Sequence, residues 1–492
     1  MGYFMILYGN KNPNMCNVIN KTLSTNKNKN ISSLSELFDL IPIKDNMTLA
    51  FHHHLRNGDY VLNMVLEEIK KRDLKGITIA SSAIFPVHEP MVELIENENI
   101  TKIYTNYING PVAKAVSEGH LKELLIMDTH GGRPRAIESG ELKIDVAFIS
   151  VPTSTINGDG NGIEGKSACG ALGYAISDMY YANKKVVITD NLVENIDYTE
   201  IEGKYIDYVL QVESIGDPKG ILSGTTKPTT NPVQLKIAKD TTKLMIDLNL
   251  IKNGFSFQTG AGSTSISVAS LVRDYMKENN IKGAFASGGI TSFLVKMLEE
   301  NLFENLYDVQ CFDLDGVKSY STNKNHLPMS ASLYANPCVD NIASKLDVVI
   351  LGATEIDFDF NVNVTTDSNG YLMGGSGGHA DTSYGSKVTI ITTTLIKSRL
   401  GAIKPRVTTI TTPGSTVDIL VTERGIAINP KRTDLLNILK SKNIKTYTIK
   451  ELYDIQTNIT GLPDEINKSN KIIGYVRYFD GTILDEIHKV GD

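Results

Sequence analysis

From about Asp45 onward, short runs of apolar and β-branched residues alternate with stretches whose apolar positions recur every three or four residues. The runs GITIASSAI, ELLIMDTH, IDVAFISVP and KVVITDNL fall in the first half, and GAFASG, DVVILGAT, KVTIITTTL and VDILVTERGIAI in the second. Strands interleaved with helical segments predict an α/β protein with largely parallel sheets. Near-continuous apolar runs such as DVVIL fit strands covered on both faces. Residues from about Asn10 to Asn30 are instead rich in Asn, Lys and Ser, and predict a mobile arm over residues 1–33.

The pattern repeats. KIDVAFISVP begins at Lys143 and KLDVVILGAT at Lys345, and each is followed 42 residues later by a second run, KVVITD from Lys185 and KVTIITT from Lys387. A Gly-rich stretch lies between the two runs in both halves. Upstream, Arg72–Ser82 (RDLKGITIASS) resembles Asn279–Gly289 (NNIKGAFASGG). Four features in one order, with one spacing identical, predict a duplicated α/β domain. The turn-rich stretch from Ser223 to Gln234, with two prolines, predicts the boundary, giving domains over 34–228 and 229–492 that face each other across a cleft.

Composition narrows the function. A chain of 492 residues with 41% hydrophobic and 21% charged residues is that of a globular protein too long for a single ordinary core. The net charge of −7 and the absence of Trp argue against nucleic-acid binding. No apolar stretch reaches the roughly 18–20 residues that span a bilayer. The start, MGYFMILYGN, has no basic region typical of a signal peptide and no Ser or Thr at position 6 for myristoylation. The four cysteines stand far apart, which predicts free, mostly buried thiols and a cytoplasmic protein.

Candidate chemistry concentrates in glycine-rich turns. Gly374–Thr382 (GGSGGHADT) has four glycines in five positions, which lets backbone N–H groups turn toward a ligand's oxygen. His379 and Asp381 follow; they either orient a bound carboxylate or cap the next helix. Gly260 and Gly262 open a strand-to-helix turn whose N–H groups suit an anion, although no Walker or dinucleotide fingerprint is present. His52, His53 and His54 stand at the corresponding end of the first half. Neighbouring residues of a strand point to opposite faces, so they are read as cleft donors beside Arg56, and no metal is expected. Arg133 and Arg135 follow a glycine pair and offer forks for carboxylates, or lie in a solvated loop. Cys169 has no adjacent activating base. Glu355, Asp357 and Asp359, followed by Asn361 and Asn363, supply either a working carboxylate or a solvated loop.

These segments together resemble one family. GGRPRAIESGELKIDVAFISVPT, the GKSACGALGYA run from Gly165, TGAGSTSISVA, the run from Tyr334, ATEIDFDFNVNV, GGSGGHADT and TTPGSTVDILVTERGIAINP are similar to the citrate lyase α subunit from about Leu34 to the C-terminus. The resemblance implies two CoA-transferase-type α/β domains and a citrate CoA-transferase: acetyl thioester plus citrate gives acetate plus citryl thioester. It implies no cofactor attached to this chain. The thiol belongs to a CoA-like phosphopantetheine group of the dephospho-CoA type on a γ acyl-carrier subunit, and a β subunit performs the lyase step. Many CoA-transferases carry Ser-Glu-Asn-Gly, whose Glu forms a thioester with CoA. Here Ser287-Gly288-Gly289 takes that place, with Gly288 where the Glu would stand. The implied route is therefore an acetyl-citrate anhydride. The expected catalytic set is Gly375, Gly377, Gly378, His379 and Asp381. His52, His53, Arg133, Arg135, Asn361 and Asn363 are expected to bind citrate, and Gly260, Gly262, Ser287, Gly288 and Gly289 the thioester. The competing expectations are another acyl-CoA:carboxylate transferase or hydrolase, and a non-catalytic scaffold.

Overall fold

The computed structural model describes residues 6–7, 15–222, 228–260, 262–397, 399–462 and 469–491. Much of the segment expected to separate the two halves, residues 223–227, lies outside these.

Two large sheets organise the chain. In the first, the strands run in the spatial order Leu125–Met127, Ile100–Thr105, Ile77–Ser81, Thr48–Phe51, Val146–Ser150, Lys184–Thr189, Tyr208–Gln211. In the second, the order is His326–Pro328, Phe303–Cys311, Gly283–Ile290, Ser256–Thr259, Val348–Gly352, Val388–Thr392, Ile419–Thr422. Numbered along the chain within each half, both read 4-3-2-1-5-6-7, and every one of these pairings is parallel. The segments matched by sequence alone occupy equivalent strands: Val146–Ser150 and Val348–Gly352 are both fifth, and Lys184–Thr189 and Val388–Thr392 both sixth. Val146–Ser150 is buried along its whole length, as a strand sandwiched between helices must be. The helix Val61–Lys71 buries Val61, Leu62, Val65, Leu66 and Ile69, an i, i+3/i+4 stripe, against that sheet.

Three expectations need correction. The last strands, Ile472–Arg477 and Thr482–His488, do not stay with the second sheet. They return to the first, where Ile472–Arg477 lies parallel to Leu125–Met127, so the span 229–492 contributes to both sheets. The arm, over its described residues 15–33, is tied down. Its backbone bonds Glu138, Tyr180 and Lys204, Asn30–Ile31 adds an edge strand to Tyr208–Gln211, and Lys185 Nζ donates to the Thr22 carbonyl. Composition made it look loose, whereas long-range backbone pairing, invisible to composition, fixes it. Finally, only Cys169 and Cys311 are free, both buried, because the arm brings Cys16 to Cys338 and the two form a disulfide.

Candidate functional site

Parallel strands of an α/β sheet direct their carboxyl ends to one edge, where loops form ligand sites. Here the carboxyl edges of both sheets meet. Beyond Thr48–Phe51 comes His53, whose Nδ1 lies 2.6 Å from the Ser82 hydroxyl and whose ring stacks on Tyr174 at 4.6 Å. His130, beyond Leu125–Met127, packs on the same tyrosine, also at 4.6 Å. From the second half, the Gln310 amide donates to the His53 carbonyl at 2.7 Å. Gln258 accepts from the Ser287 hydroxyl and donates to the Tyr334 hydroxyl at 2.8 Å.

The glycine loop 374–378 closes this arrangement, and it does so across the two halves. The Ile108 N–H donates to Gly374, the Gly377 N–H donates to the Asn106 carbonyl, and the His130 N–H donates to the Gly377 carbonyl. Gly377 has φ +50, and a Cβ at Gly378 would stand 2.2 Å from the Tyr334 hydroxyl. Neither position tolerates a side chain, the first for conformation and the second for space. Among the described residues, the Gly375 and Gly378 N–H groups have no protein acceptor.

Burial controls the electrostatics. It depresses His53 and His54 well below the ordinary imidazole range, with neighbouring cationic groups adding to the effect at His53. It lowers His130 to about 3, helped by the charge of Arg133. Both cleft imidazoles are therefore neutral at pH 7, and His130 Nδ1 is buried with no partner. Burial raises the Tyr174 and Tyr334 phenols far above their usual range, so both keep their protons.

Comparison with known proteins decides the family. The sequence model described as "Citrate lyase, alpha subunit" matches residues 27–490. A Haemophilus influenzae citrate lyase α chain is 43% identical over 463 residues, covering 94% of this chain and 93% of that one. One from Klebsiella pneumoniae is 41% identical over 450 residues, covering 91% and 89%. The chain belongs to the citrate lyase α-subunit family. A Streptococcus mutans structure described as the α subunit of citrate lyase in complex with citrate superposes with a TM-score of 0.93 at 40% identity, covering 96% of this chain and 95% of that one. A malonate decarboxylase α subunit from Acinetobacter baumannii shares the fold, at TM-score 0.64 and 12% identity.

Within this family's fold, several expected site residues are committed elsewhere. Arg133 donates to the Asp178 carboxylate at 3.0 and 3.1 Å and to the Ala80 carbonyl, and Arg135 is paired with Glu141 at 2.6 Å, both deep in the protein. His52 accepts the Ser150 N–H at Nε2, which leaves its Nδ1 to bond His54; His53 and His54, not His52, pack on Tyr174. Asn361 holds Asp357 and the Gly414 N–H, while Asn363 holds Glu355 and the turn at Thr365–Thr366. His379 bridges Thr412 and the Gly352 carbonyl. Asp381 accepts from the Thr129 hydroxyl at 2.6 Å and the Gly131 N–H at 3.0 Å, bracketing His130. Gly377 spends its N–H on Asn106 and serves as the loop's hinge. The partners of Arg133, His379, Asp381 and Gly377 lie far along the chain, so spacing alone could not reveal them.

Ser287, Gly288 and Gly289 do lie at the meeting edge. Gly288 sits at a bulge with φ +108, and a Cβ there would be 2.8 Å from the Gln258 amide. Gly262 caps the start of the helix Ser263–Glu278, and a Cβ there would meet nothing within 4 Å; Gly260 follows the strand Ser256–Thr259. Sequence reasoning missed His130, Tyr174, Gln258, Gln310 and Tyr334. His130, Tyr174 and Tyr334 carried a local signal, as the polar residue before Gly131-Gly132, a member of the GKSACGALGYA run and the head of the Tyr-Ala-Asn-Pro run. Cys169 is buried, with its thiol pushed well above the ordinary range, which leaves it without nucleophilic character.

Proposed function

We propose that this chain is the citrate CoA-transferase of a citrate lyase complex. It exchanges acetate for citrate on a thioester whose CoA-like thiol is carried by a γ subunit, and a β subunit then cleaves the citryl thioester. The observation that carries the mechanistic part is Gly288. At the turn where related transferases hold a glutamate, this chain has a glycine with φ +108, and a Cβ there would press on the Gln258 amide. On this reading a substrate carboxylate acts as the nucleophile.

A citrate carboxylate oxygen attacks the acetyl carbonyl, the C–S bond breaks, and an acetyl-citrate anhydride and a thiolate result. The thiolate attacks the citryl carbonyl of the anhydride, its C–O bond breaks, and acetate leaves. Both steps pass through a tetrahedral oxyanion. The Gly375 and Gly378 N–H groups, fixed by loop bonds to the first half, are the donors best suited to it; one such donor is worth about 3 kcal/mol. Neutral His53 and His130 offer N–H groups to citrate oxygens without adding charge. The thioester arm enters past Gly260 and Gly262 at the start of the helix Ser263–Glu278. The cleft's buried phenols and imidazoles keep water from the anhydride.

Incubating the purified chain with acetyl-CoA and citrate, with and without the acyl-carrier subunit, tests this by mass spectrometry. Citryl thioester and acetate, formed only with citrate, are the expected products. Acetate without citrate would mean a hydrolase, and no product even with the carrier would leave a scaffold role.

A further inference from the structure

Among the described residues, the Arg56 guanidinium has neither a hydrogen bond nor an ion pair; its contacts are the faces of Phe312, at 4.6 Å, and Phe85, at 5.4 Å. Arg133, Arg135 and Arg477, by contrast, are each neutralised by a carboxylate. A partly buried cation without a counter-charge is costly, and burial indeed lowers its pKa. Its backbone is also strained, with φ +52 in a short turn. That turn is held from several sides. The Arg56 N–H donates to His53, a Cβ on Gly58 would stand 2.0 Å from the Asp217 carbonyl, and Asp59 meets His88 at 3.2 Å. Among the described residues, only these aromatic faces meet the charge held there, and no carboxylate does.

The position says what would use it. Arg56 follows cleft-facing His53 by three residues. Phe312, on which its guanidinium rests, lies against Gly289, where an added Cβ would come within 2.3 Å of the ring. The charge therefore stands at the edge of the bulged Gly288–Gly289 turn. A planar fork between aromatic walls, out of bulk water, is suited to gripping a carboxylate in bidentate fashion.

We propose that Arg56 binds a carboxylate of citrate that does not react, and so selects a tricarboxylate over a monocarboxylate. This rests on the transferase reading above. It also sets the relative affinity of the two acids: citrate gains the contact, whereas acetate has only the carboxyl group used in the chemistry.

The test compares wild type, Arg56→Gln and Arg56→Lys by calorimetric titration with citrate and by exchange of labelled acetate into acetyl-CoA. Arg56→Gln should weaken citrate binding roughly 30-fold or more, and Arg56→Lys, which keeps a point charge, by about 5–10-fold. Acetate exchange should fall much less than citrate binding in both, and the melting temperature should not fall in Arg56→Gln, which removes an unpaired cation. Citrate affinity unchanged in Arg56→Gln would overturn the assignment, as would equal loss of citrate binding and acetate exchange in Arg56→Lys. A wild-type chain that exchanges acetate but ignores citrate would instead overturn the citrate reading, and this assignment with it.

Discussion

Arg133 illustrates how a residue's partner determines its role. On a surface loop its fork would be free for substrate, but here it lies buried against Asp178, with a second bond to the Ala80 carbonyl. Removing one member of a buried pair strands the other charge, at a cost of about 3–5 kcal/mol. Arg133→Ala should therefore lower stability by that amount in urea unfolding, while the citrate KM of the protein that remains folded stays near wild type. A raised KM with unchanged stability would return Arg133 to the substrate site. The Arg133–Asp178 pairing spans 45 residues and two helices, so no local motif announces it. Arg56 was visible in the sequence only as a neighbour of the histidines, since its significance lies in having no carboxylate partner among the described residues. The glycine loop was legible because four glycines in five positions mark a backbone that must turn and approach its neighbours closely.

At the scale of elements, the duplication was readable because parallel strands covered on both faces must be apolar throughout, so both halves preserve the same runs at the same spacing. The joining of the halves was not readable, since it depends on contacts such as that of Asp381, in the first turn of the helix His379–Gly385, with Thr129 and Gly131. Asp381 is a positioning residue: it brackets the loop bearing His130, which in turn bonds Gly377. Asp381→Ala should lower kcat at least about 10-fold, and Asp381→Asn, which keeps an acceptor for the Gly131 N–H, should restore most of it. Burial raises the Asp381 carboxyl from 3.8 to about 7, so the folded state holds a proton that the unfolded state has released. Its stabilising contribution is complete below pH ~4 and is lost as pH rises through ~7. The stability of Asp381→Asn relative to wild type should accordingly rise across that window, by no more than ~1.4 kcal/mol per pH unit. A pH-independent difference would mean that Asp381 is ionised throughout.

The whole molecule is closed by its two ends. The arm crosses from Tyr180 and Glu138 of the first half to Cys338 of the second, while the final strands return from the second half to pair beside Leu125–Met127. The C-terminal return is locked by Arg477, which holds Asp128 at 2.5 and 2.9 Å and also contacts Glu141, the partner of Arg135. Asp128 is almost wholly buried and lies two residues before His130, so the chain's end supports the strand that presents a cleft imidazole. Arg477→Ala leaves Asp128 and Glu141 without this counter-charge and should cost about 3–5 kcal/mol in urea unfolding. Because the fault lies beneath His130, kcat should fall further than citrate affinity does. Arg477→Lys should recover part of the stability but less of the rate, since one ammonium cannot span both carboxylates in a fixed plane. A loss under about 1 kcal/mol would mean that β pairing alone holds the returning strands, and that the two ends of the chain close the fold without supporting the site.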